Sequence, residues 1–308
     1  MKEKIAFIGF GRFGKALVHV LRQKDQYEIA AFDLADSGDA CQLPSAAEAM
    51  EGAAAVFFVV PSGAFRSCTE HLDVPNVPLV TCSKGIDPTS QKLPIEVLHE
   101  LFPNHSAAAL SGPMLSAELE EGLPSAGTVA SLDAASAELV KTLFDGTTLS
   151  LETSSDEIGI SWCGILKNVY ALALGLSDGL ELGDNFKSVL TRRAMIEMQQ
   201  IIKAAGGDPG SMMSFAGIGD FLATGYSTKS RNYAYGFALG HGDDLPGALA
   251  EGVKNFENVV AILGSSGDDA APGNHSGLPL LETIRSIFSQ NAPPRESLLE
   301  FHQKNHTA

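Results

Sequence analysis

Residues 164–180 read GILKNVYALALGLSDGL, and the chemistry in that stretch rests on Lys167 and Asn168. Lys167 is the only charged residue between Glu157 and Asp178. A solvated helix face would carry more charge. An ammonium set among Ile165, Leu166, Val169, Leu172 and Leu174 can instead donate a proton or stabilise a developing oxyanion. At i, i+3, i+4 spacing, Gly164, Lys167, Asn168, Ala171, Gly175 and Asp178 fall on one side of a helix. Such a stripe of small residues admits either a ligand or a neighbouring helix.

A second motif lies at the start of the chain. Residues 4–14 read KIAFIGFGRFG, an apolar run followed by Gly9-x-Gly11-x-x-Gly14. Gly9 permits a tight turn, Gly11 lets backbone approach a pyrophosphate, and Gly14 lets the following helix pack against the strand. The helix N-terminus then offers N–H groups and partial positive charge to phosphates. Nineteen residues after Gly14, the run EIAAFD ends in Asp33. A carboxylate there accepts hydrogen bonds from a ribose diol and repels a 2′-phosphate, which favours NAD over NADP. Arg12, inside the loop, is read either as a phosphate contact or as a solvated cation.

Composition narrows the classes. Of 308 residues, 44% are hydrophobic and 19% charged, the balance of a soluble globular protein. The net charge, 21 − 37 = −16, argues against nucleic acid and anionic membrane surfaces as partners. Cys41, Cys68, Cys82 and Cys163 form no C-x-x-C pair, and no histidine spacing suggests a metal, so free thiols and no metal site are expected. The apolar run near the N-terminus is too short for a signal peptide, and AAAVFFVV at 53–60 is too short to span a bilayer. A cytoplasmic protein is expected.

The elements that must hold these residues follow from hydrophobic patterning. Seven short apolar runs are expected strands: Lys4–Ile8, Glu28–Asp33, Ala55–Val60, Leu79–Cys82, Ala107–Leu110, Gly127–Ala130 and Thr148–Leu151. Helical stretches such as Gly14–Lys24 and Ala134–Phe144 alternate with them, which predicts a mostly parallel, doubly wound sheet. After about Ser155 the patterning becomes helical: 156–180, 186–205, 211–224, 230–241, 246–263 and 278–290, with glycine-rich breaks at 206–210 and 264–277. The fold class is α/β: a Rossmann-type dinucleotide-binding domain over 1–154, then an all-helical substrate and catalytic domain over 155–308. The final segment, ending QKNHTA, is expected to fray.

Further motifs carry a resemblance. They are VVPSGAF (59–65), TCSKGID (81–87), SGPMLSAELEEGLPSA (111–126), the lysine helix continuing into LELGDNFKSVL (164–190), GIGDFLATGYSTKSRNYAYGFALGHG (217–242) and AEGV (250–253). In this order and spacing the chain resembles the NAD(P)-dependent glycerol-3-phosphate dehydrogenase family over nearly its whole length. The resemblance implies reversible hydride transfer between NAD(P)H and dihydroxyacetone phosphate. It implies Lys167 as general acid and base, Asp220 as its acidic partner, and Lys84 near both cofactor and substrate. Gly112, Asn168, Thr224, Ser230, Arg231 and Asn232 join Lys84, Lys167 and Asp220 around the substrate, with Ser230, Arg231 and Asn232 gripping its phosphate. Gly9, Gly11, Arg12, Phe13, Gly14, Asp33, Pro61, Lys84, Ser116, Arg231 and Glu251 are the implied cofactor residues. A homodimer is the family-level expectation. Arg192 and Arg193 are read as structural or at a subunit contact.

The chain departs from the family at three places. Only about twenty residues join the second and third strands, so the adenine side of the cofactor cleft is expected to be trimmed. Position 114 is methionine where a small polar residue is usual, and methionine fills space and donates no hydrogen bond. Position 12 is arginine where a small polar residue is usual. Two alternatives stay open: a same-fold dehydrogenase for another small phosphorylated or carboxylated ketone, and a non-catalytic sensor of NAD or a metabolite.

Overall fold

The computed structural model describes residues 2–245, 250–265 and 277–304. The chain divides into two compact units, Met1–Ser161 and Trp162–Ala308.

The first unit is built on seven strands: β1 Glu3–Ile8, β2 Tyr27–Phe32, β3 Ala53–Phe58, β4 Leu79–Thr81, β5 Ala107–Ser111, β6 Ser125–Ala130 and β7 Leu149–Ser154. They form one sheet in the order β2-β1-β3-β4-β5-β6-β7. Every pairing is parallel except β5 with β6. Central β3 reads AAAVFF without alternation because helices cover both faces of such a sheet. Phe57 of β3 stacks on Phe7 of β1 at 5.0 Å and meets Phe144 edge-on at 6.2 Å, which places the core between the sheet and the helix Ala134–Phe144. Each expected strand is present, with ends shifted by at most three residues.

Strand order reverses at β1, which sits between β2 and β3, and in such sheets ligands bind beyond the carboxyl ends at that point. Gly9 follows β1 directly there, its N–H donating to Phe32 O at 2.8 Å. The short β2–β3 connection folds back along the β2 edge. Ala31 N–H donates to Cys41 O and Leu43 N–H to Ala31 O, both at 2.8 Å, so the open edge is partly covered. Arg22 grips Asp39 with two hydrogen bonds, of 3.0 and 2.8 Å, which holds the Asp39 carboxyl well below the usual carboxylate range.

Among the described residues, the second unit contains no strand. It consists of most of the helix Glu157–Gly179, then Asp184–Ala204, Arg231–His241, Glu251–Ser265, Pro279–Gln290 and Pro294–Lys304, with a cluster of short turns between the second and third. The helix Glu157–Gly179 is long and apolar enough to cross a membrane, yet 89% of its apolar window is buried inside the protein, as for the core helix of a soluble fold. A buried carboxylate ties three helices together. Glu197 accepts from Tyr170 Oη at 2.9 Å, Arg193 Nε at 2.8 Å, and the N–H groups of Leu280 and Leu281 at 2.7 and 2.8 Å. Burial pushes its carboxyl up, and these donors oppose that shift. Arg193 is thereby a structural residue.

Two expectations need correction. The region 211–224 is no single helix: a 3₁₀ turn Pro209–Met213 and a π turn Phe215–Gly219 precede the α-helix Asp220–Gly225. Pro209 and the Ser214 side chain, which accepts from Gly217 N–H, break the regular ladder. The segment before the tail does not fray: Pro294–Lys304 is helical, with Leu298 and Phe301 buried at i, i+3 spacing. Parts of three expectations fall outside the described residues: the start of the 246–263 helix, the break over 266–276 and the last four residues.

Candidate active site

The glycine loop in the first unit has the form its sequence requires. A Cβ on Gly9 would lie 2.3 Å from Val59 O, at φ +98°, so only glycine fits. A Cβ on Gly14 would lie 2.6 Å from Gly9 O, which explains the close helix–strand approach. A Cβ on Gly11 would meet nothing within 4 Å, so open space lies over the backbone at that point. The helix Arg12–Leu21 begins there without a side-chain cap or an acidic residue in its first turn. Its first N–H groups therefore face an anion site with no internal competitor, and a dinucleotide pyrophosphate fits this cradle.

Around the loop, Asp33 stands just past β2 and is half-buried. Its Oδ2 accepts from Phe10 N–H at 2.6 Å and its Oδ1 from Ala35 N–H at 3.0 Å. The carboxylate thus braces the glycine loop. Arg12 is exposed and stands 3.6 Å from Glu120. The Phe13 ring packs against the apolar core. Pro61 opens a short turn after β3, and Ser116 starts the helix Ser116–Glu120.

Lys84 and Gly112 meet in the same unit, with Lys84 Nζ donating to Gly112 O at 3.4 Å. Gly112 holds φ +154°, and a Cβ there would strike Gly127 Cα at 2.5 Å. Met114 is 5% exposed and belongs to the hydrophobic core of the unit. The neighbouring Ser111 hydroxyl is buried without a hydrogen-bond partner. Sequence reasoning passed over Ser111, although it sits in the quoted SGP motif.

In the second unit Lys167 is 7% exposed. Its Nζ donates to Asp220 Oδ1 at 2.7 Å and to Thr224 Oγ1 at 3.0 Å. Asp220 opens its own helix after the π turn, and Thr224 lies one turn further on, donating to Asp220 Oδ1 at 3.3 Å. A second network begins at the next residue. Asn168 Nδ2 donates to Glu251 Oε2 at 3.3 Å, and Asn168 Oδ1 accepts from Asn232 Nδ2 at 2.8 Å. Asn232 Oδ1 accepts from Gly252 N–H at 2.8 Å. Arg231, 80% exposed, pairs with Glu251 at 2.9 Å. Ser230 caps the helix Arg231–His241, its Oγ accepting from Tyr233 N–H at 3.3 Å. Lys167, Asp220 and Thr224 thus form one network and Asn168, Arg231, Asn232 and Glu251 a second that starts at the next residue, on four helices, with Ser230 capping one of them.

The small-residue stripe is also resolved. A Cβ on Gly175 would lie 2.0 Å from Tyr233 O, and one on Gly236 would lie 2.0 Å from Leu172 O. Glycines on both helices let the two backbones touch, so the stripe admits a neighbouring helix. Gly252 extends this crossing, with a Cβ position 2.2 Å from Asn168 O. Among the described residues, no group of three or more His, Cys, Asp or Glu could hold a metal ion.

Comparison with known proteins gives the family. The description "NAD-dependent glycerol-3-phosphate dehydrogenase C-terminus" matches residues 156–299, and the N-terminal counterpart matches 38–137. The N-terminal match begins after the glycine loop and Asp33. A relative matched over 99% of this chain covers that part as well. Glycerol-3-phosphate dehydrogenase [NAD(P)+] of Agrobacterium fabrum is 34% identical over 94% of each chain. The protein of the same name from Synechococcus is 32% identical over 99% of this chain and 97% of its own. The crystal structure of glycerol-3-phosphate dehydrogenase from Coxiella burnetii superposes with a TM-score of 0.86 at 26% identity, covering 98% of this chain and 99% of that one. On its sequence and its fold, the chain belongs to the NAD-dependent glycerol-3-phosphate dehydrogenase family.

Proposed function

We propose that this chain catalyses reversible hydride transfer between NAD(P)H and dihydroxyacetone phosphate, giving sn-glycerol 3-phosphate. The observation that carries the reading is the buried Lys167 ammonium, held at 2.7 Å by Asp220 and 3.0 Å by Thr224. Reduction of a ketone leaves negative charge on its oxygen, and a directed cation both stabilises that charge and supplies the proton. Lys167 is the general acid in reduction and the base in oxidation. Asp220 and Thr224 hold the ammonium in one direction. Bound nicotinamide supplies or accepts the hydride.

The remaining roles follow chemistry and family. Ser230, Arg231 and Asn232 bind the substrate phosphate through a guanidinium and a helix N-terminus. Lys84 adds a second cation, and Gly112 and Asn168 line the substrate. Gly9, Gly11, Arg12, Phe13, Gly14, Asp33, Pro61, Ser116 and Glu251 hold the cofactor together with Lys84 and Arg231, and Asp33 favours NAD over NADP. Residues 1–154 serve the cofactor and 155–308 the substrate. The same proposal takes the protein as a cytoplasmic homodimer, on composition and family alone.

Met114, at a position where the family more often carries a small polar residue, is the ground for one second reading, a different small phosphorylated or carboxylated ketone as substrate. Its side chain is buried in the core and offers no hydroxyl to a ligand. A ketone panel with NADH separates the two substrates. Lys167→Ala tests the proton role: kcat should fall by about 10²–10⁴-fold with NADH affinity nearly intact. A variant that kept the parental kcat would remove Lys167 from the chemistry.

A further inference from the structure

Residues 226–233 read YSTKSRNY, so two tyrosines bracket the turn that carries Ser230, Arg231 and Asn232. Both rings converge on one ammonium outside the set described above. Lys187 Nζ lies 4.1 Å from the Tyr226 ring centroid and 5.1 Å from that of Tyr233. Lys187 is 6% exposed and comes from the helix Asp184–Ala204. Its Nζ donates to Asp178 Oδ2 at 2.5 Å, and the Tyr233 hydroxyl donates to the same oxygen at 2.6 Å. The Tyr226 hydroxyl meets Thr191 Oγ1 at 2.8 Å, and Thr191 Oγ1 donates to the Lys187 carbonyl at 2.9 Å. Asp178 lies on the helix that carries Lys167.

One buried charge therefore touches both ends of an eight-residue segment. Attraction between an ammonium and an aromatic face strengthens as water is excluded. Lys187 fixes the first ring through its face and the second through its face and a shared carboxylate. The turn between the rings has its own internal bonds, Ser230 N–H to Ser227 O at 3.0 Å and Lys229 N–H to Ser227 Oγ at 3.2 Å. Those bonds shape the turn, and the tyrosines set where it stands. Beyond Tyr233 the helix is located by the glycine crossing at Gly175 and Gly236.

We propose that Lys187 is a positioning residue for phosphate binding: clamped between Tyr226 and Tyr233, it places the turn that presents Ser230, Arg231 and Asn232 to the phosphate of the substrate. The proposal rests on the reading that this turn holds the phosphate. Misplacing binding groups by a fraction of their reach weakens the ligand without touching the reacting atoms.

The test uses the full chain with Lys187→Met, which keeps length and loses charge, and Lys187→Arg, which keeps charge and stacks on aromatic rings. KM for dihydroxyacetone phosphate, kcat, NADH affinity and competitive inhibition by inorganic phosphate are measured for each, beside Arg231→Ala. Lys187→Met should raise KM and the phosphate inhibition constant together, on the order of tenfold, with kcat at saturation and NADH affinity nearly unchanged. Lys187→Arg should recover most of the loss. A Lys187→Met protein that melts earlier but keeps both constants, while Arg231→Ala raises them, would leave Lys187 a structural residue and overturn the proposal. If Arg231→Ala also left both constants unchanged, the phosphate reading of the turn would fall, and the proposal with it. Should Lys187→Met fail to fold, Tyr226→Leu removes one jaw of the clamp without stranding a charge. It should raise the same two constants, and unchanged values would overturn the proposal equally.

Discussion

An ammonium at position 167 is costly to bury, because water solvates it better than any apolar neighbour. Desolvating an ion pair costs several kcal/mol per ion, and the pair recovers this only with good geometry. Lys167 and Asp220 have that geometry, at 2.7 Å with side chains 9% and 1% exposed. Removing one partner strands the other. Asp220→Ala should therefore lower stability by about 3–5 kcal/mol in denaturant titration, whereas the joint change Lys167→Met with Asp220→Leu should recover most of that loss. A double variant as unstable as Asp220→Ala would mean that the pair is there for stability; recovery of stability without turnover would assign it to function. Asp33 makes a parallel case in the first unit. Its two oxygens accept from Phe10 and Ala35 N–H groups, so it braces the loop it is proposed to help read. Asp33→Ser should shift the NADH/NADPH preference toward NADPH and weaken NADH binding as well. An unchanged ratio of kcat/KM values for the two cofactors would sink the ribose reading.

Elements were legible where burial is uniform and illegible where side chains replace the backbone ladder. Apolar runs such as AAAVFF mark central strands because both faces are covered, and all seven strands follow from such runs. The stretch 209–225 keeps a helical pattern of apolar residues but changes pitch twice, because a proline and the Ser214 side chain interrupt its ladder. The helix Pro294–Lys304 is mostly polar, and its two buried residues, Leu298 and Phe301, give too weak a pattern to stand out. The glycines at 175 and 236 were visible, but their meaning needed the partner helix sixty residues away. That contact carries a prediction. Gly236→Ala puts a methyl 2.0 Å from the Leu172 carbonyl and should cost about 1–3 kcal/mol, while Gly63→Ala, whose Cβ meets nothing within 4 Å, should be tolerated. Equal melting temperatures for the two variants would show that the helices can separate freely.

For the molecule as a whole, the acidic balance of −16 sits beside a few placed cations: Lys84, Lys167 and Arg231. The type of each candidate site residue could be read from motifs, and the pairing of Lys167 with Asp220 came with the family resemblance. What the motifs could not supply are contacts across long separations, such as Asn168 with Asn232 and Glu251, or Lys187 with Tyr226 and Tyr233. These depend on how helices cross, which one sequence does not state. The central claim concerns turnover by the full chain, and the most direct measurement is the loss of NADH absorbance on adding dihydroxyacetone phosphate, repeated with NADPH. Rapid oxidation with NADH, and slower oxidation with NADPH, is the predicted result. A protein that binds NADH yet oxidises neither cofactor with this ketone would contradict the proposed reaction.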